Sequence, residues 1–262
     1  MGFTLIELLV VISIIALLMA ILVPALGTSK QHTRMLLCGA NIRQLTFALS
    51  MYASDNETFP HALDETPAKP PAGGYPGNPM YDRMGWWWFN YTTDYSRTSP
   101  GKPSIILCPS RRIGNGLLGT NVLCGNYGVN RSICKSSSGW SDHIDFTGRP
   151  LRISDISRAG ETLLVVDSGY SMITWWHAAD VPPEPFDSAI VEDTAYVPGL
   201  EINKNRSLWA SQEQDAIDGR HPNKTVNVGF VDGHIDRVEA EHLAVQKTAD
   251  GYTNKNPLWE PK

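Results

Sequence analysis

Charge is scarce along this chain: Asp, Glu, Lys and Arg together make up 19% of its residues, and the formal balance is -5. A mildly acidic balance gives no electrostatic reason to expect nucleic acid. The scarcity is greatest at the N-terminus, where Phe3 to Val23 contains no Lys or Arg and one acid, Glu7. Several catalytic and metal signatures are also missing. There is no C-x2-C pair to start a zinc site, no H-E-x-x-H helix, no nucleophile elbow and no phosphate loop. No internal repeat is visible, so a solenoid is excluded.

What is present is a polypeptide of 262 residues, long enough to bury a proper core as one large or two small domains. Gly and Pro are plentiful beyond the first fifty positions, which suits a β-rich globular part with many loops. Four cysteines occur, Cys38, Cys108, Cys124 and Cys134. An even number in an exported domain points to disulfides, with three connectivities open. Cys124 and Cys134, around a turn predicted at Gly125 to Gly128, are the nearest pair; buried free thiols are the alternative.

The run Phe3 to Val23 reads FTLIELLVVISIIALLMAILV. As a helix it covers roughly 30 Å, one bilayer core. It is apolar on all sides, as a membrane span is, and no small-x-small cleavage site follows it as in a secretory signal. Glu7 stands out there, because a carboxylate in hydrocarbon costs about 2.5 kcal/mol or more unless its charge is paired. The span supplies no basic side chain, so the partner is expected from another chain.

Gly2-Phe3-Thr4-Leu5-Ile6-Glu7 and the apolar run after it resemble the processing signal of type IV pilins and type II secretion pseudopilins. The resemblance implies that a prepilin peptidase cuts between Gly2 and Phe3 and that the new amine of Phe3 is N-methylated. It also implies that Glu7, fifth residue after the cut, pairs with that amine on a neighbouring subunit during assembly. Pro24 falls where many pilins carry a helix-kinking proline. Prepilin leaders carry basic residues, whereas only Met1 and Gly2 precede the cut here, so a basic leader upstream is expected. Lys30, Arg34 and Arg43 follow the span, and taken alone they would draw the globular part to the cytoplasmic side.

Beyond Pro24 a helix is predicted to about Ser54, with Cys38, Ile42, Leu45, Leu49 and Tyr52 forming one apolar seam for packing on a sheet. Residues 67–79 read as an exposed Pro/Gly loop. The aromatic burst Trp86-Trp87-Trp88-Phe89, with Tyr91, reads mainly as core, with a glycan- or partner-binding patch as the alternative. Strands are predicted at Ser104–Cys108, near Tyr127–Asn130 and at Glu161–Asp167. Residues 169–218 read as an insertion without steady periodicity. Thr225–Val238 predicts a terminal hairpin with a type I′ turn at Asp232-Gly233, Val226, Val228 and Phe230 facing one side and Asn227 and Gly229 the other.

His221, Asp232, His234 and Asp236 are the one cluster with ion-binding or acid–base potential. They read mainly as turn-forming and hydrogen-bonding residues, with a divalent cation such as calcium as the alternative. Arg220-His221, Asn227, Phe230 and Asp232-Gly233-His234 resemble the C-terminal motif of pilin-like proteins with an H-X9-DG domain, although ten residues separate His221 from Asp232 here. Cys38 with Asn41, Cys108-Pro109-Ser110, Asn126-Tyr127-Gly128-Val129-Asn130 and Asp167-Ser168 agree with that family in order.

The expectation is therefore an α+β, pilin-like chain. Its parts are a leader remnant (1–2), a transmembrane helix (3–24), an amphipathic continuation (25–55) packed on an antiparallel sheet, and a periplasmic β-rich domain (56–262). Expected partners are the inner membrane, prepilin peptidase and other pilin-like subunits. Structural work in a filament, without catalysis or cofactor, is the first functional reading. A membrane-tethered glycan-binding module is the second, and a tethered hydrolase using His221 and Asp232 the third. Mature protein from a chain with a basic leader is expected to begin at Phe3 with an added methyl group, which intact mass checks. A start near residue 25 or beyond would mark an ordinary secretory signal.

Overall fold

The computed structural model describes residues 4–66, 86–96, 104–114, 121–137, 145–183, 195–254 and 257–261. The Pro/Gly loop expected at 67–79 and the processing pair Gly2 and Phe3 lie outside them. Helix α1, Leu5–Asn56, has 52 residues and so extends about 80 Å. Pro24 is carried inside it, where its ring removes one backbone donor from the ladder. Glu57, in the left-handed region at φ 66°, ends it. Every residue from Thr4 to Arg34 is exposed, and burial starts at Met35. From there Cys38, Ile42, Leu45 and Leu49 line one face as the predicted seam, extended by Met35 and Ala53, while Tyr52 is only half-buried. Full burial of each large aliphatic in it contributes about 1.5–3 kcal/mol.

That seam packs on a five-stranded sheet. The shorter elements β1 (Leu63–Asp64), β2 (Trp86–Trp87), α2 (Trp88–Tyr91) and α3 (Thr93–Ser96) lie between helix and sheet in sequence. The sheet strands are β3 (Tyr127–Asn130), β4 (Leu163–Asp167), β5 (Met172–Ile173), β6 (Thr225–Phe230) and β7 (Ile235–Glu239), in the order β5-β3-β4-β6-β7. Helix α4 (Glu213–Asp218) precedes β6, and β8 (Val245–Thr248) pairs with β9 (Gly251–Asn254) as a separate ribbon. All sheet pairings are antiparallel except β3 with β5, so the expected antiparallel sheet carries one parallel edge.

Strands β4 and β6 are covered on both faces, which explains why β4 is a continuous apolar run. The register slips between Leu163 and Val165 against β6. Leu164 and Val165 consequently both enter the core under α1, while Leu163 and Val166 enter a second core on the opposite face. Val226, Val228 and Phe230 also join that second core. The other face of β6 meets the helix: a Cβ on Gly229 would lie 2.1 Å from Thr46 Oγ1 and 2.9 Å from Val165 Cγ1. Glycine is required there for the helix to approach.

Three expectations change. Ser104–Cys108 is a turn, with Leu107 N donating to Ser104 O and Cys108 N to the Asn126 side chain, so its donors are spent before any strand can pair. The hairpin between β6 and β7 is not type I′. Only Gly233 has positive φ (96°), Gly233 N donates to Phe230 O and Phe230 N to His234 O. That is a type I turn closed by a left-handed glycine, a three-residue loop. The described parts of the stretch expected as an insertion, 169–183 and 195–218, are woven into the fold, supplying the edge strand β5 and the buried Trp175, Trp176 and Tyr196.

The aromatic burst is core. Trp87, Trp88 and Phe89 are buried, Trp88 Nε1 donates to Ser171 O, and Tyr91 stacks edge-on against Tyr52 of α1. Gly229→Ala is expected to destabilise the globular part by about 1–3 kcal/mol, because neither Thr46 nor Val165 can withdraw from a packed interface. Urea midpoints of wild type and variant check this.

Candidate functional site

Two places combine chemistry with geometry. The first is the N-terminal turn of α1. Thr4 and Glu7 form a reciprocal capping box: Glu7 N donates to Thr4 Oγ1 (3.3 Å), and Glu7 Oε2 accepts from Thr4 N and from Thr4 Oγ1, both at 2.8 Å. The sequence reading assigned Glu7 to a partner chain and missed this local role, although the T-x-x-E signature ahead of an apolar run was legible. Within one chain the carboxylate is thus hydrogen-bonded, yet no cationic side chain of the span neutralises it. By length and composition, the helix that begins here can cross a membrane.

The second place is a buried polar node where α1, β4, β6 and the 108 and 126 loops meet. Asp167 ends β4, and its Oδ2 accepts from Asn227 N (2.7 Å), Asn227 Nδ2 (3.0 Å) and His221 Nε2 (3.1 Å). Arg220, fully enclosed, donates to Asp215 Oδ2 (2.6 Å), Asn126 O (2.6 Å) and Ser168 O (3.1 Å). Asp215 in turn accepts from Tyr196 OH (2.9 Å). Burial alone would raise the Asp167 carboxyl, but His221 and Arg220 hold it below its usual range. Burial likewise works against the His221 imidazolium, and Asp167 overcomes it, raising that group to about 9.

Beside this node lie two sulfurs. Cys38 Sγ on α1 and Cys108 Sγ are 2.8 Å apart, and a ring nitrogen of His221 lies within 4.8 Å of both. Cys38–Cys108 is the sulfur–sulfur contact among the four cysteines. The Cys124–Cys134 neighbourhood does not form such a contact: strand β3 runs between the two, and burial pushes the Cys124 thiol to about 12. Donation from Cys108 draws Cys38 down to about 5 against the effect of burial, while burial and that same donation push Cys108 up.

The predicted cluster of His221 with Asp232, His234 and Asp236 divides. His221 is buried on Asp167, whereas Asp232 and His234 pair with each other at the exposed hairpin tip, Nδ1 to Oδ1 2.6 Å. His234 also stacks on Phe230 at 4.1 Å, and Asp236 accepts from Arg237 N. The hydrolase reading required His221 beside Asp232. The chain gives His221 to Asp167 instead, because β4 and β6 are neighbours and the hairpin tip projects past them. Asp167, Arg220 and Asp215 were missed as a charge network, since nothing in the spacing reveals that the end of β4 meets the distant 215–220 stretch.

Comparison with known proteins agrees with the first site. Residues 2–23 match the family model described as the prokaryotic N-terminal methylation motif. No curated protein and no solved structure gives a match. The motif is that of pilin-like proteins processed by prepilin peptidase, and with the apolar helix it fits a single-pass membrane anchor.

The charged node generates a pH dependence. His221 is raised from 6.5 to about 9 in the folded chain, so its contribution is complete below pH 6.5 and is lost as pH rises through 9. Asp167 is lowered from 3.8, so its contribution is present above that pH and is lost as pH falls through the lowered value. In the difference between wild type and His221→Gln, measured on detergent-solubilised chains, the His221 contribution is expected to be level below pH 6.5 and to fall from pH 6.5 to 9. His221→Gln should remove the alkaline slope and cost on the order of 3 kcal/mol near neutrality. Melting curves across pH check both.

Proposed function

We propose that this protein is a structural subunit of a pilus-like or pseudopilus filament, inserted by α1 in the inner membrane with its globular part on the periplasmic side. The observation that carries the reading is the methylation motif at residues 2–23, in register with a helix long and apolar enough to span a bilayer. Assembly needs surfaces as well as a signal, and α1 has them. Leu36, Leu37, Phe47 and Met51 lie on the outer half of the helix and are exposed, although the sheet covers the opposite stripe. A helix with a second apolar stripe is suited to packing against copies of itself. The buried tryptophans, Trp87, Trp88, Trp175, Trp176 and Trp259, are spent on the core and are not free to form a glycan platform.

In this reading Glu7 has two duties: it caps its own helix through Thr4, and it accepts the charge of a neighbouring Phe3 amine. The duties separate by substitution, because Gln also completes a capping box but carries no charge. Glu7→Gln and Glu7→Ala are both expected to insert, to be cleaved after Gly2, and to lose cross-linked multimers and sheared filaments at equal membrane abundance. Multimers retained by Glu7→Gln and lost by Glu7→Ala would assign Glu7 to capping alone. Multimers retained by both would remove the filament reading and leave a tethered binding module.

A further inference from the structure

We propose that Cys38 and Cys108 close a disulfide that staples the assembly helix to the globular part, while Cys124 and Cys134 remain buried thiols. This deepens the filament reading and rests on it, since only an exported globular part meets an oxidising compartment. Cysteine arithmetic leaves three connectivities open; the fold selects one. Cys38 is fully buried on the inner face of α1 and Cys108 lies directly opposite, Sγ to Sγ 2.8 Å. The loop that presents Cys108 is tied to the same stretch of helix, with Asn41 Nδ2 donating to Leu107 O and to Tyr127 OH, both 3.2 Å. Behind it, Asn126 Oδ1 holds Cys108 N at 2.9 Å. Helix and loop are thus held together by hydrogen bonds of the Asn41 and Asn126 side chains that do not involve the sulfurs.

Two thiols and an imidazole are also a donor set for zinc. A four-coordinate zinc with bonds of about 2.3 Å keeps two thiolates roughly 3.8 Å apart. The sulfurs here are 2.8 Å apart, too close for that. The positive charge of Arg220 also acts on the Cys108 thiol, which disfavours a cation there.

Because both sulfurs are enclosed in the folded chain, closure belongs to the folding of α1 onto the sheet. The Cys38 thiolate attacks one sulfur of an exported protein disulfide of the dithiol-oxidoreductase class, releasing the first oxidant thiol. The Cys108 thiolate then attacks the Cys38 sulfur of the mixed disulfide and releases the second. The chain gives up two electrons and two thiol protons, and the oxidant takes both and is reduced to a dithiol. The imidazolium of His221 next to the pair favours the thiolate form that this exchange needs. The bridge joins residues 70 apart, so it restricts the unfolded chain strongly, and it lies where pull on the membrane helix enters the globular part.

The test uses full-length protein taken directly from cell envelopes, denatured in alkylating agent and digested without reductant. Expected is one linked peptide pair, Cys38 with Cys108, two hydrogens lighter than the separate thiols, and alkylated Cys124 and Cys134. Four alkylated cysteines, a bridge involving Cys124 or Cys134, or thiols protected by zinc and released by a chelator would each overturn the staple. The N-terminal peptide from the same digest separates the two readings. Free thiols with a methylated Phe3 start defeat the staple alone, and free thiols with any other start defeat both. A linked pair with another start keeps the staple and defeats the filament assignment. As a second measurement, Cys38→Ser and Cys108→Ser are each expected to lower Tm by roughly 5–15 °C, and the double variant by no more than either. Additive losses would mean packing without a bond.

Discussion

Asp167 ends a strand that is covered on both faces, where an ionised carboxylate survives only with several donors and a nearby positive charge. It obtains them from three directions: the backbone and side chain of Asn227, the ring of His221 and, further off, Arg220. Arg220 then holds the carbonyls of Asn126 and Ser168 and the carboxylate of Asp215. Through Asn126 the network reaches Cys108, and through Cys108 it reaches the helix. Removing one member strands the others without solvent, so the whole junction between sheet, loops and helix depends on the charge of this one carboxylate being compensated.

The helix carries two unlike environments in one unbroken element. Its first part exposes apolar residues all round, which water does not tolerate and a bilayer does. Its second part has one stripe against β4, β6 and β7 and another left open. The helix is thus fixed to the sheet at one end and is long and apolar enough at the other to cross a bilayer. The close approach at Gly229 and the junction at Cys38 are the places where that fixing is tightest.

Much of this could be read along the chain. The apolar run, the register of Gly2, Phe3 and Glu7 within it, the seam from Cys38 to Leu49 and the strands β4 and β6 all depend on local spacing, and local spacing is what periodicity reports. The Ser104–Cys108 run misled for a physical reason: its composition suits a strand, but Asn126 takes the Cys108 N–H that a ladder would need. Asp232-Gly233 misled because the dipeptide also suits a type I turn closed by a left-handed glycine, a three-residue loop in which Val231 leaves the strand and Phe230 pairs with His234.

The sequence by itself determined the membrane helix, its processing signal and the α+β class, since these follow from runs and repeats within a few turns of chain. Tertiary structure alone decided which residues become a site. His221 was separated from Asp232 and given to Asp167, Cys38 was set against Cys108, and Arg220 was enclosed with Asp215. Each of these pairings, except Arg220 with the nearby Asp215, joins residues more than fifty positions apart. Which distant segments meet is set by sheet order and by how closely a glycine lets the helix approach, and neither leaves a pattern in the spacing of the residues themselves.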